Sequence, residues 1–287
     1  MPAEARDDRE GARDDWSAHW ARYADSAREN PAQDMRHRLV LAEIRGLGPV
    51  EVLLDVGSGQ GDFLGKASSE RLAGSLIGFE LSRSGVEISR RAVAGAVFHQ
   101  VDMYRPPESA ARVLGCADVA VCSDVIEHVD DPVELLRQVR RYLKPGGCLV
   151  LTVPAGPMSA FDRHIGHRTH YTRATAATVL SAAGFTIEKV ALAGFPFFNL
   201  YRIVVLLRGK RLIADVSADQ MHDGRGGIAK LAMRAFHFLF RFNLPNTPFG
   251  WQLLAVARSP LPAPLPVRPP QRAEPLSRPA IAGRREA

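Results

Sequence analysis

Cysteine is scarce in this chain. Cys116, Cys122 and Cys148 are the only three, none stands in Cys-x-x-Cys spacing, and each lies in or beside an apolar run. That excludes a disulfide framework or a zinc ribbon and points to buried free thiols in a reducing compartment. Long apolar runs are missing too: no stretch reaches the roughly 18 residues of a membrane span. The opening residues carry Glu4, Asp7, Asp8 and Glu10 among arginines and hold no apolar centre of a signal peptide, so the expected location is cytoplasmic. Charge of one sign is also in short supply. The net charge is +6, and Ser259–Ala287 alone holds five Arg against two Glu. The remaining body is nearly balanced, which argues against a nucleic-acid partner. No internal repeat is visible.

What is present is an ordinary apolar content of 46%, enough for a sizeable core, arranged in a regular alternation. Residues 1–15 are charged and poor in apolar side chains, and are expected to be disordered. Residues 16–46 read as a helical lid, two short helices broken near Asn30-Pro31. Strands are expected at Val50–Val56, Ser75–Leu81, Ala96–Asp102, Ala117–Ser123 and Cys148–Val153, with helices between them. Continuous apolar strands separated by helices make a parallel sheet covered on both faces. The helix before the fifth strand is well marked. Asp131 can cap it, Pro132 suits its first turn, Glu134 completes the capping spacing, Lys144 falls in its last turn, and Pro145-Gly146-Gly147 stops it. A further helix follows Thr172, and Phe185–Ala191 and Trp251–Arg258 read as the last two strands. Residues 192–249 form an insertion between them. From Ser259 prolines dominate, and a disordered tail is expected.

The most informative stretch is Leu53-Leu54-Asp55-Val56-Gly57-Ser58-Gly59-Gln60-Gly61-Asp62. An apolar strand ends in an acid, and three glycines at alternate positions let the backbone press against a ligand. The dinucleotide fingerprint needs a third glycine where Asp62 stands. The stretch instead resembles motif I of the class I S-adenosylmethionine-dependent methyltransferases, and the resemblance covers roughly residues 50–190. It implies an α/β, Rossmann-like, seven-stranded class I sheet with its last strand antiparallel, an N-terminal helical lid, and a core over 47–191 that ends in a strand over 250–258. The implied cofactor is S-adenosyl-L-methionine. Its amino group would meet Asp55, and its carboxylate the amides of the Gly57, Ser58, Gly59 and Gly61 turn. Glu80, with Leu81 beside it, would take the ribose hydroxyls. Asp102 and Met103 would take the adenine, and Ser123 would line the cleft at the end of the fourth strand.

Two further segments carry chemistry. Asp124-Val125-Ile126-Glu127-His128 resembles the acid-x-x-Glu-His segment of the ubiquinone-biosynthesis O-methyltransferases and of the enzymes that 2′-O-methylate small-RNA ends. Asp162 to Thr172 holds His164, His167 and His170, and an imidazole there can remove an acceptor proton near neutral pH. The expected catalytic set is Glu127, His128, His167 and His170. Structural roles compete: His128 can cap a helix, and each later histidine can fix a loop. A divalent ion held by Asp124, Glu127, His128 and a later histidine is a second option that the resemblance suggests; no residue is assigned to a metal on the sequence alone.

The insertion is rich in Phe and Leu, and Lys230, Arg234, His237 and Arg241 recur at spacings of four, three and four. It reads as a lid over an apolar acceptor, with plain packing or peripheral membrane contact through 195–242 as alternatives. The expected activity is methyl transfer, preferably to oxygen, on a small hydrophobic or lipid-like acceptor. The competing readings are a metal-assisted RNA 3′-end 2′-O-methyltransferase and a non-catalytic scaffold that binds the cofactor.

Overall fold

The computed structural model describes residues 30–217 and 227–261, without the side chains of 209–217 and 227–230. The expected disordered start, the first lid helix and the tail beyond Leu261 lie outside the described residues. A helix, α1 (Pro31–Gly46), comes first. Then follow β1 (Val52–Val56), α2 (Asp62–Ser69), β2 (Ser75–Glu80), α3 (Arg83–Ala92), β3 (Ala96–Gln100), β4 (Ala117–Ser123), α4 (Pro132–Tyr142) and β5 (Leu143–Pro154). The chain continues through α5 (Ala160–His164), α6 (Arg173–Ala182), β6 (Thr186–Ala193), α7 (Phe197–Ser217), α8 (Gly227–Leu239) and β7 (Gln252–Arg258).

The seven strands form one sheet in the order β3-β2-β1-β4-β5-β7-β6. Strand β7 runs antiparallel to both neighbours, and the pairs among β1 to β5 are parallel. Successive side chains of a strand point to opposite faces, and both faces are apolar here. Leu54, Ala120, Cys122, Leu149 and Leu151 pack with α4 residues Leu135, Leu136 and Val139. Leu53, Val119, Val121 and Val150 pack with Phe63, Leu64 and Val86 of α2 and α3, and with Val40, Leu41 and Ile44 of α1. Burial on both sides explains why these strands read as unbroken apolar runs.

The cap of α4 is as expected. Asp131 Oδ1 accepts the Glu134 amide at 2.9 Å, with Pro132 in the first turn. The end of α4 differs from the expectation. The helix stops at Tyr142, and Lys144 lies in β5 rather than in a last helical turn. Lys144 Nζ bonds Asp118 at 2.6 Å and Glu51 at 3.0 Å, so cross-sheet carboxylates outcompete the helix C-terminus. Ser259, expected to begin the loose tail, donates its amide to Gly147 O at 2.8 Å. Cys122 and Cys148 are buried and free, and Cys116 is partly buried. No helix among the described residues is long and apolar enough to cross a membrane.

One core residue links this packing to pH. His37 of α1 is buried against Phe63, and its Nδ1 makes no hydrogen bond. Burial, helped by nearby Lys66 and Arg36, pushes its pKa down to about 3. The unfolded chain takes up a proton near pH 6.5 that the folded chain refuses. Stability is therefore full above about pH 6.5 and falls as pH drops, at about 1.4 kcal/mol per pH unit for this residue. Urea unfolding at pH 7 and pH 5 is expected to show His37→Phe losing about 2 kcal/mol less than wild type over that interval; equal losses would assign the acid sensitivity elsewhere.

Candidate active site

The order of the strands reverses between β1 and β4, and the carboxyl ends there open onto a cleft of about 400 Å³. Such a switch point is where open α/β sheets bind ligands. Two backbone clamps shape its floor. The amides of Gly57 and Ser58 both donate to Phe79 O, at 2.8 and 3.0 Å. The Glu80 carboxylate accepts the Gly59 amide on one oxygen at 2.9 Å and the Ser82 amide on the other at 2.8 Å. Gly57 has φ +76°, and a Cβ there would stand 2.4 Å from Val125 Cγ2, so this turn admits no side chain.

Gly57, Glu80, Leu81, Asp102 and Met103 line the cleft. Five of the ten expected cofactor residues do not, but four of these shape its surroundings. Asp55 sits behind Val56, 3% exposed. Ser58 is buried with Oγ unpaired among the described residues. Gly59 fixes Glu80, and Gly61 starts α2. Ser123 is not among the residues that line the cleft, and its Oγ lies 2.7 Å from Thr152 Oγ1 on the neighbouring strand. Burial and the Glu80 charge push Asp55 up to about 8, so a cation beside it would be favoured and would pull it back down. Among the described residues Glu80, Asp102, Asp124, Asp130 and Asp131 line the cleft against one Lys or Arg, Arg168, which ion-pairs with Asp130. The cavity suits a positively charged ligand with hydroxyls and a flat apolar part.

The second half of the site gathers around β4 and the loop after β5. His128 lines the cleft, and Glu127 is fully buried behind it. Neither Glu127 oxygen has a hydrogen-bond partner among the described residues, and burial together with Asp124 holds its carboxyl well above the usual range. His167 packs edge-on to His128, ring centres 4.7 Å apart. His167 Nδ1 lies 3.1 Å from His170 Nε2, and His170 Nδ1 lies 3.1 Å from Gly156 O. A carbonyl only accepts, so His170 carries its hydrogen on Nδ1. Its Nε2 then accepts from His167 Nδ1, and His167 Nε2 is left with its lone pair. Burial lowers both imidazoles, His167 to about 3, so both are neutral at pH 7. His164 is exposed and outside this group.

Two sets of side chains bring three donor atoms within 4.8 Å of one another: Glu127, His128 and His167; and Asp162, His167 and His170. The second set is already occupied. Asp162 accepts two bonds from Arg202 (2.9 and 2.7 Å) and one from Ser159 N, while the histidines face each other. The first set has the orphaned Glu127 oxygens and the open His167 nitrogen, and so fits a divalent cation with mixed nitrogen and oxygen ligands. Asp124 is not in it. Asp124 adopts left-handed backbone (φ 51°) and is tied to Arg36 of α1, to Gln252 Nε2 (3.1 Å) and to Thr152 Oγ1 (3.4 Å).

The sequence profile of the family described as methyltransferase domain matches residues 24–190. The chain belongs to that family. A relative in Pseudomonas paraeruginosa, named ubiquinone biosynthesis O-methyltransferase, is 32% identical over 125 residues, which is 40% of this chain and 50% of that protein. The chain spans half or less of the length of the curated relatives it matches first. A chain from the complex of the Haloferax volcanii Trm112 methyltransferase activator superposes with TM-score 0.53 at 19% identity, covering 86% of this chain and 99% of that one. The cyclase SpnF superposes with TM-score 0.51 at 20% identity, covering 79% and 82%. These likenesses show the class I methyltransferase fold, and the fold alone.

Arg36, Arg202, Tyr171 and Gln252 escaped the sequence reading. Tyr171 Oη donates to Ile126 O at 3.1 Å and so pins the Glu127-His128 turn. Arg202, from the insertion, is the least obvious in sequence, lying just before the apolar run Ile203–Leu207. Its bidentate bond holds Asp162 down at about 2. Arg202→Ala leaves that carboxylate buried and unpaired, and is expected to cost about 3–5 kcal/mol. The double variant Asp162→Leu/Arg202→Met is expected to recover most of this, less about 1 kcal/mol for the lost helix cap. Denaturant unfolding of the two variants checks the difference; a double variant as unstable as the single would show that the charge pair is not the source.

Proposed function

We propose that this protein transfers a methyl group from S-adenosylmethionine to a hydroxyl oxygen of a small hydrophobic acceptor. One observation carries the reading: a Glu80 carboxylate fixed by two backbone amides, facing an acid-lined cleft beside a glycine turn, with a neutral histidine pair at its far side. Glu80 would take the ribose hydroxyls, and Leu81, Asp102 and Met103 the adenine. Gly57, Gly59, Gly61 and the unpaired Ser58 hydroxyl would meet the amino-acid carboxylate, and Asp55 its ammonium. The bound sulfonium supplies a methyl group already activated for transfer. The protein's own work is then alignment, exclusion of water and removal of the acceptor proton.

His167 Nε2 is the atom best placed for that proton. Its lone pair is fixed by His170 and the Gly156 carbonyl, and its ring packs edge-on to His128, which lines the cleft. The oxygen preference and the hydrophobic acceptor draw support from the relative named for ubiquinone biosynthesis. A divalent cation on Glu127, His128 and His167 would lower the acceptor hydroxyl's pKa, and the orphaned Glu127 oxygens favour this variant of the mechanism. An RNA-end substrate is disfavoured by the acids that line the cleft, which would repel a phosphate chain.

Calorimetry with S-adenosylmethionine is expected to show binding that weakens at least about tenfold in Glu80→Ala, given the worth of hydrogen bonds to a charged group. With a panel of phenolic acceptors, His167→Ala is expected to lower kcat by about 10²–10⁴ with the cofactor Kd unchanged, and His170→Phe to fall between. Activity lost on exhaustive chelation and restored by a divalent ion would select the cation variant; unchanged activity would dismiss it. Tight binding with no acceptor methylated would favour a non-catalytic scaffold.

A further inference from the structure

The insertion turns toward solvent a surface that the cleft does not use. No described residue of 195–249 lines the cleft. Among the described residues the insertion reaches the site through Arg202, while Phe198, Tyr201, Phe236 and Phe240 pack on one another and on α1 through Ala32 and Met35. That explains one face of α8. His237, expected beside the arginines, turns toward Asp34, its Nδ1 4.0 Å from the carboxylate.

Among the described residues the other face has no such partner. Leu231, Arg234, Phe238, Arg241 and Phe242 follow at intervals of three, four, three and one, all exposed, with Leu231 at 67%, Phe238 at 57% and Phe242 at 58%. Helix α7 repeats the pattern with Leu200, Ile203, Val204 and Leu207, the last 83% exposed. A helix apolar on both sides is normally buried on both, and exposed apolar stripes of this kind mark interaction surfaces.

Charge identifies the partner. Residues 195–249 hold eight Lys or Arg and three Asp, a net +5 in a chain of net +6 whose remaining residues outside the tail sum to −2, and no Asp or Glu occurs in 189–214 or 224–273. Arg234 and Arg241 make no ion pair or hydrogen bond with any described residue. A face built to stay in water mixes both signs; this one sets aromatic and aliphatic side chains between unpaired arginines. Beside Arg241 lies a cleft of about 230 Å³ walled by Met35, Leu39, Leu244 and Arg38; Arg38 pairs with Asp34 through Nη1 at 2.6 Å, and its Nη2 is buried without a hydrogen-bond partner among the described residues.

We propose that the α8 face docks on an anionic lipid bilayer. Leu231, Phe238 and Phe242 enter the headgroup–acyl boundary, Arg234 and Arg241 sit among the phosphates, and the neighbouring cleft receives one lipid phosphate between Arg38 and Arg241. Apolar tips with cationic heads are what an interfacial helix presents. This goes beyond methyl transfer and does not rest on it.

The test is flotation of the full chain with vesicles of phosphatidylcholine, alone or mixed with phosphatidylglycerol. The chain is expected to float with the mixed vesicles, less so at high salt, and not with phosphatidylcholine alone. Arg234→Ala/Arg241→Ala is expected to lower partitioning about thirtyfold, and Phe238→Ser/Phe242→Ser at least about tenfold at every salt concentration. Both variants should keep wild-type cofactor binding by calorimetry, which shows them folded and separates this result from the methyl-transfer reading. Absence of flotation with anionic vesicles, or variants that float like wild type, overturns the proposal. So does a dimer, seen by analytical ultracentrifugation, that Phe238→Ser/Phe242→Ser abolishes, because a second copy would then cover the face.

Discussion

The tie between the end of β2 and the turn after β1 holds the rest of the site in place. Two amides converge on Phe79 O, and a third reaches back to Glu80, whose other oxygen caps the start of the next segment. A buried carboxylate with both oxygens engaged cannot swing. The glycine turn, the two strand ends and the cleft floor therefore form one rigid unit. The five acids around the cleft gain their directional meaning from that rigidity, since a field aimed at a ligand requires fixed charges.

A second network is built on the same sheet from more distant parts. Helix α1 sends Arg36 to Asp124, β7 sends Gln252 to the same carboxylate, and the insertion sends Arg202 to Asp162. The strained backbone at Asp124 is held by groups on three separate elements, α1, β5 and β7. This is how a left-handed non-glycine residue persists beside a functional site. The insertion is thus joined to the histidine group by a buried ion pair while its outer face remains open.

Legibility in the sequence followed the range of the interactions. The central strands β1, β4, β5 and β7 were readable because each is an apolar run buried on both faces, and the edge strands β3 and β6 were readable from the regular alternation around them. The glycine turn and the acids at Glu80 and Asp102 were readable because a local spacing marks them. Lys144 misled because its partners, Glu51 and Asp118, are remote in sequence, and a Lys before Pro-Gly-Gly looks like a helix end. Ser123 hides its partner for a similar reason, since only the register with Thr152 on β5 reveals its bond. Asp124 fitted a ligand set by spacing, yet long-range partners hold it elsewhere. The histidines were visible as a cluster, but spacing does not disclose which ring nitrogen carries hydrogen.

That last point gives a backbone atom an unexpected office. Gly156 is not among the residues that line the cleft, yet its carbonyl decides the polarity of both rings beyond it. The peptide that carries it joins Gly156 to Pro157, whose nitrogen has no hydrogen, so this plane offers His170 an acceptor and has no amide donor to put in its place. A side chain at 156 would collide with Trp251 (Cβ to Cγ 2.6 Å), so the indole reserves the position for glycine. The direction of the imidazole chain is thereby written into the hydrogen that a proline lacks.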